Sequence, residues 1–506
     1  MTRSGQRTAD TDAELGAVAR WLALGVLVLA VLLVAVDVTV LVVATPYLSE
    51  NLRPTGTQLL WIGDIYSFVI AGFLVSMGSL GDRIGRKKLL LTGAVAFGAA
   101  SVLCAYASSP AMMILARALL GATGATLMPS TLALIRNIFP DARQRSLAVG
   151  IWASAASAGE AVGPVLGGFL LQHFWWGSVF LINVPVTAVL VVVGIVLLPE
   201  SRDPHPGPWD LVSVGLSLAG MVAVVYAIKE AAVHGFGWDI AAAAVLGVAA
   251  LFWFGRRQVT RSSPLLDMRL FQHRGFSGAI LANLLTILGL TGLVFFLSQF
   301  LQLVQQRSPL QAGLFSVPTA IGAVGMGLVA GVVARRVSVR GAVCGGLVAV
   351  GVALAACLAI NEGTGFVVLG LTLFLVGLGS GLTFTVTSDV ILSSVPKDQA
   401  GAASAVAETA YELGAALGIA LLGSVVTGVY RGFTAPAGVA NAAHDSLGGA
   451  IAAAAKLPHD QAAALLAAAR SSFTGGFQAA TGVGAVVLFA TAVAAWFLLR
   501  GQKLAD

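Results

Sequence analysis

WIGDIYSFVIAGFLVSMGSLGDRIGRKKLLLTGAVAFGAASVLCAYA, residues 61–107, reads as two apolar helices joined by a short basic turn. A bilayer core is about 30 Å thick, and a helix needs about 20 mostly apolar residues to cross it. Both flanks of the turn meet that length. The turn itself, GSLGDRIGRKK at 78–88, sets Asp82 among Arg83, Arg86, Lys87 and Lys88. Lys and Arg gather in the cytoplasmic joints of membrane proteins. The stretch therefore predicts a helical hairpin that crosses a membrane twice, with its turn inside the cell.

The same pattern extends over all 506 residues, of which 58% are hydrophobic and 10% charged, with mean hydropathy +0.91. Soluble domains carry about 25% charged residues, so an ordinary water-soluble fold is excluded. A membrane barrel would show alternating segments of about ten residues, whereas these apolar runs are continuous. Fourteen helices are expected, at 20–44, 57–79, 88–107, 111–135, 146–171, 177–198, 209–229, 239–256, 276–304, 309–334, 340–360, 364–393, 400–430 and 476–499. The first run, Trp21–Val43, is too long for the apolar core of a signal peptide.

The formal charge of +6 does not point to nucleic acid, because the basic residues sit in alternate joints rather than on one face. Their alternation places both termini in the cytoplasm. Two joints stand out. The basic stretch 256–274 links two halves of the chain, and 431–475 is a long external loop. The Ala-rich pieces of that loop, near Ser446–Leu457 and Asp460–Ser471, predict two short helices around Pro458. Residues 78–93 and 327–346, each a Gly-rich helix end running into a basic joint, form a faint internal repeat. Two related helical halves around a midplane site is a common transporter plan.

Cys104, Cys344 and Cys357 lie inside apolar runs without disulfide or zinc spacing, and all six histidines lie in or beside joints. No metal site is expected, and proton chemistry within the membrane falls to carboxylates. Ionisable groups there cost about 2.5–3.5 kcal/mol each at a helix centre and are usually functional. The candidates are Asp37, Asp64, Arg117, Glu160, Asp389, Glu408 and Glu412. At 1.5 Å per residue, Asp37, Asp64 and Arg117 share one level, about 10 Å from the external helix ends. Arg117 is therefore expected to pair with one of the acids. It cannot release its own proton, so it biases the neighbouring carboxylate toward ionisation.

Glu408 and Glu412 lie four apart, on one helix face near mid-membrane, with Tyr411 beside them. Two carboxylates and an aromatic ring suit an organic cation. Trp61 is a further candidate lining residue; Glu160 is a secondary one. The Gly and Pro of GEAVGPVLGG, residues 159–168, mark close packing or a bend. Asp82 is expected to latch the cytoplasmic side by accepting hydrogen bonds from a neighbouring helix N-terminus and from Arg86. No G-x-x-x-x-G-K-[ST] phosphate loop occurs, and no nucleophile–base set suggests an enzyme.

These motifs resemble the major facilitator superfamily, in its fourteen-helix drug:proton antiporter branch, over nearly the whole chain. GSLGDRIGRKK is similar to the family's loop 2–3 motif, RALLGATGA at 117–125 to its fourth-helix motif, and GEAVGPVLGG to its antiporter motif. VAVDVTVLVVATP at 34–46 is similar to the first-helix motif of the branch, with Asp37 as its acid. WIGDIYSFVIAG at 61–72 and ETAYELGAALG at 408–418 resemble segments of bacterial exporters of quaternary ammonium compounds and ethidium. The chain departs from that group in having no acid between 309 and 334.

The resemblance implies an all-α membrane fold: tail 1–19, a six-helix bundle at 20–200, two inserted helices at 201–256, a linker at 257–275, a second bundle at 276–499 and tail 500–506. It implies export of hydrophobic or cationic small molecules by a monomer in a bacterial inner membrane, driven by the proton gradient without a cofactor. Asp37, Arg117 and Asp64 would couple protons. Glu408, Glu412, Asp64, Tyr411, Trp61 and Glu160 would meet substrate. Gly78, Asp82, Arg83, Arg86, Gly159, Gly163, Pro164 and Gly167 would serve gating. An exporter of one endogenous antibiotic, metabolite or lipid and a non-transporting membrane sensor are the competing readings.

Overall fold

The computed structural model describes residues 16–52, 54, 56–202, 210–234, 237–261, 264, 266, 268–307, 309–396, 399–432 and 447–502. Among them the regular structure is helical throughout. The N-terminal helices are α1 (Ala17–Leu52), α2 (Gly56–Ile84), α3 (Arg86–Ala105), α4 (Pro110–Ile138), α5 (Ala142–His173), α6 (Ser178–Leu181) and α7 (Asn183–Leu197). Next come α8 (Leu211–His234) and α9 (Trp238–Thr260). The rest are α10 (Arg274–Gln299), α11 (Pro309–Leu314), α12 (Ser316–Val337), α13 (Val339–Ala356), α14 (Phe366–Ser393), α15 (Ala400–Tyr430), α16 (Leu447–Ala454) and α17 (His459–Leu498).

Among the described residues, 13 helical segments are long and apolar enough to cross a membrane. The 32 residues of α5 are long enough to make a further crossing, although its glycines, serines and Glu160 dilute its apolar character. The chain is thus a multi-pass membrane protein.

Two hydrophobic cores organise these helices. One is built almost entirely from residues 23–198, the other from residues 254–499. Three buried residues cross over: Val75 belongs to the second core, Leu392 and Ala400 to the first. All three lie toward the end where the basic joints gather, which is the end the charge pattern assigns to the cytoplasm. Here the two bundles are closed on each other.

Glycine makes that closure possible. A Cβ on Gly78 of α2 would lie 2.5 Å from the Gly401 carbonyl oxygen and 2.7 Å from Ala405 Cβ, both on α15. Gly150 of α5 meets the Gly327 carbonyl of α12 in the same way. Side chains reinforce the backbone contacts. Ser154 Oγ donates to the Val324 carbonyl at 3.3 Å, and Arg145 Nε donates to Asp389 Oδ1 at 2.9 Å. Gly85, between α2 and α3, adopts φ 110°, a left-handed conformation that suits glycine. The turn lets the Glu200 carboxylate accept from the Lys87 and Lys88 amides at 3.2 and 3.3 Å, capping α3.

The inserted helix α8 touches both bundles. Met221 and Val225 share a cluster with Phe68 and Ala71 of α2 and with Ala416 of α15. α9 lies outside it and turns Val245, Leu246, Phe252 and Trp253 outward. Arg257 of α9 donates to Asp210, before α8, at 2.8 and 3.0 Å, tying the pair together. These bonds hold the Asp210 carboxyl well below the usual carboxylate range.

The last helix differs from the expectation. α17 starts at His459 rather than near 476, so the second Ala-rich piece is its first turns and not a separate short helix. At 40 residues it is about 60 Å long, twice a bilayer core. Gly476 lies inside it because α15 approaches there: a Cβ would sit 2.8 Å from the Val426 carbonyl oxygen. The first piece is helical at Leu447–Ala454, as expected. Residues 433–446 of the loop lie outside the described residues. The expected helix at 309–334 is divided into α11 and α12 at Phe315.

Gly78→Val should keep the bundles from closing at the basic end. A cysteine placed at Ser154, which is buried here, should then react with a membrane-permeant maleimide in the variant and be protected in the parent. Equal labelling of the two would contradict this account of the closure.

Candidate functional site

Asp37 lies just past the middle of α1 and is buried. Its Oδ2 accepts from Arg117 Nη1 of α4 at 2.8 Å. Its Oδ1 accepts from Asn183 Nδ2 of α7, also at 2.8 Å. The guanidinium lies over the Tyr66 ring of α2, 4.5 Å from its centroid, and Arg117 Nε points to the Ile62 carbonyl oxygen at 3.4 Å. A buried charge is tolerated only when paired and hydrogen-bonded. Here an acid and a base meet in an apolar slab, each held by further polar groups. The Asp64 side chain lies outside the described residues; among the described residues the partner of Arg117 is Asp37.

The glycines of α5 set how α1 is held. A Cβ on Gly159 would lie 2.7 Å from Ala35 Cβ, and one on Gly167 would lie 3.2 Å from Val40 Cγ2. One on Gly163 would run into the Thr39 side chain. Spaced four apart, the three form one smooth stripe against the segment of α1 that carries Asp37. The Pro164 side chain lies outside the described residues.

A second set of polar groups spans the bundles. Tyr411 Oη of α15 donates to Glu160 Oε1 of α5 at 3.1 Å, and its ring lies 5.8 Å from that of Phe384 of α14. Glu160 has an accessible side chain although protein surrounds it, so it faces an internal opening. Glu408, buried, and Glu412, partly buried, follow one face of α15 and lie within electrostatic range of each other. Glu412 also lies within range of Tyr66 and Tyr411. Three carboxylates thus gather around the Tyr411 ring, with groups from both halves.

Trp61 does not join this group. It stacks on Tyr226 of the inserted helix α8, centroids 6.1 Å apart, and meets Phe68 edge-on at 5.8 Å. These contacts hold α2 against α8. Trp152 likewise packs within its own bundle, donating to Thr131 Oγ1 at 3.0 Å.

At the basic end, Asp82 makes four contacts. Oδ1 accepts from the Gly401 amide at 3.2 Å and Oδ2 from the Ala402 amide at 3.1 Å, both in the first turn of α15. Arg86 donates to Oδ1 from Nε at 2.9 Å and Nη2 at 2.6 Å. The first amides of a helix have no intrahelical partner and carry partial positive charge, so a carboxylate is stabilised there. Arg83 makes no ion pair among the described residues. Arg145, which no sequence motif singled out, makes with Asp389 a second charged tie across the closed end. The sequence reading missed Asn183 and Tyr66, which carry no formal charge and so give no burial-cost signal.

The sequence profile described as Major Facilitator Superfamily matches residues 27–419. The multidrug efflux pump LfrA of Mycolicibacterium smegmatis is 47% identical over 477 residues, 93% of this chain and 95% of that protein. The methyl viologen resistance protein SmvA of Salmonella typhimurium is 37% identical, over 96% of this chain and 99% of its own length. Among solved structures, the human organic anion transporter MFSD10 superposes with TM-score 0.62 at 16% identity, covering 95% of this chain and 99% of that one.

Breaking one side of a buried ion pair strands the other charge at a cost of about 3–5 kcal/mol. Arg117→Gln should therefore lower the thermal midpoint of the detergent-solubilised protein more than the double variant Asp37→Asn/Arg117→Gln does. An equal or larger drop in the double variant would show that the pair is not the buried unit described.

Proposed function

The chain belongs to the major facilitator superfamily, and we propose that it is a proton-coupled exporter of lipophilic cations. The observation that carries this reading is the buried Asp37–Arg117 pair together with the cluster of Glu160, Glu408 and Glu412 around Tyr411. LfrA and SmvA, by their names, handle multiple drugs and methyl viologen, and their similarity extends over nearly the full chain. Methyl viologen is a planar dication, the kind of solute that two carboxylates and aromatic rings would hold.

With the basic end in the cytoplasm, the closed contacts there make this the state that faces outward. Asp37 is ionised and paired. A proton arriving from outside neutralises Asp37 and weakens its bond to Arg117. The loss frees α1 to shift along the glycine stripe of α5, and the basic end opens as Asp82 leaves the α15 N-terminus. Substrate then enters from the cytoplasm or the inner leaflet and binds Glu408, Glu412 and Tyr411. As Arg117 recovers its partner, Asp37 releases its proton to the cytoplasm. One proton moves in as one monovalent cation moves out; the exchange is electroneutral, so the pH gradient supplies the work. No cofactor enters the cycle. The protein acts as a monomer in a bacterial cytoplasmic membrane, with both termini inside.

Asp37→Asn should retain cation binding and lose gradient-driven export of ethidium from loaded vesicles; export at the parent rate would sink the coupling role. Asp82→Asn should leave substrate affinity near the parent value and slow turnover several-fold, and a large affinity loss at unchanged maximal rate would contradict a latch. Glu408→Gln and Glu412→Gln should each reduce resistance to dications more than to monocations at matched protein level. A uniform loss across the panel, with less protein in the membrane, would favour a packing role for the pair.

A further inference from the structure

We infer that Asn183 is a positioning residue that sets the proton affinity of Asp37, an inference that rests on the coupling role proposed for that acid. The geometry leaves Asn183 one orientation. Ser101 Oγ of α3 donates its single hydrogen to the Phe97 carbonyl at 2.9 Å. It can therefore only accept from Asn183, which lies 3.1 Å away. Asp37 Oδ1, 2.8 Å from the same amide, can also only accept while ionised. Both neighbours demand a donor, and the two hydrogens of Nδ2 serve them both. Flipping the amide would set its carbonyl oxygen against a carboxylate and a hydroxyl lone pair.

All three groups are buried, at 1% exposure for Asn183 and Asp37 and 0% for Ser101. Water does not replace a bond lost there. A hydrogen bond donated to a carboxylate favours its charged form, and one in a low-dielectric setting does so strongly. Arg117 supplies charge to Oδ2; Asn183 supplies a fixed neutral donor to Oδ1. The two are not redundant. A proton that settles on Oδ1 meets a donor and must displace the Asn183 bond, so Asn183 sets how acidic the outer solution must be before Asp37 loads.

The other groups facing Asp37 are Arg117 from α4, Tyr66 from α2 and Cys104 from α3, the last within electrostatic range. Asp64 of α2 lies nearby in sequence, its side chain outside the described residues. Glu412 approaches through Tyr66 from the second bundle. None of them donates to Oδ1 among the described residues.

The test is the pH dependence of tetraphenylphosphonium affinity in the purified, detergent-solubilised full chain. The parent should show a midpoint that Asp37→Asn lacks. Asn183→Ala should raise that midpoint by about one pH unit or more, a tenfold or larger gain in proton affinity. Asn183→Asp, which keeps the size and replaces the donor by an acceptor, should raise it further. Ser101→Ala, which frees the amide to rotate, should raise it less. Loss of affinity at every pH with an unmoved midpoint in the Asn183 and Ser101 variants would overturn this inference and leave the role of Asp37 standing. A parent with no midpoint that depends on Asp37 would overturn the coupling reading, and this inference with it.

Discussion

A carboxylate in an apolar slab must be neutralised, paired or protonated, and the fold of the first bundle answers to that constraint at Asp37. Five helices reach it or its partner: α1 carries the acid, α4 the arginine, α7 the amide, α3 the serine that orients the amide, and α2 the ring beneath the guanidinium. α5 adds no polar group and instead presses its glycine stripe on the same segment of α1. With both carboxylate oxygens occupied, the charged state is well matched. A single proton spoils the match, because a neutral acid no longer holds an arginine in hydrocarbon at small cost. In the proposed cycle the pair is thus a stable structure and a switch at once.

What the switch acts on lies at the other end of the same helices. The closed face depends on backbone contacts that only glycine allows, at Gly78 against Gly401 and Gly150 against Gly327. Charged ties then fasten it at Asp82 and at Arg145–Asp389. Such contacts have two discrete arrangements, made or broken, since packed interfaces do not deform continuously. The acids and rings around the central opening come from both bundles, with Glu160 on α5 and Tyr411 on α15 joined by one hydrogen bond. Any relative movement of the halves therefore changes this cluster of acids as well as the closed end.

Much of this was legible in the sequence, for physical reasons. Bilayer thickness fixes the length of apolar runs, so the crossings could be placed. Buried charge is costly, so Asp37 and Arg117 stood out, and the rise per residue put them on one level. Asn183 and Tyr66 left no trace because a neutral polar group in a span costs less and is common. The stacking of Trp61 on Tyr226 was not legible because it depends on α8, whose position around the bundle no local pattern records. The start of α17 was missed because Asp460, Arg470 and Gly475–Gly476 look like joint residues, whereas outside the bilayer a helix can continue through them.

The central claim is that the charge of Asp37 governs closure at the basic end. It is tested most directly by spin labels at Arg143→Cys on α5 and Arg336→Cys on α12, exposed residues on opposite bundles at that end. The account predicts a short inter-label distance at alkaline pH and a longer one on acidification. With Asp37→Asn added, the longer distance should dominate at every pH. Distances that follow pH equally with and without Asp37 would contradict it.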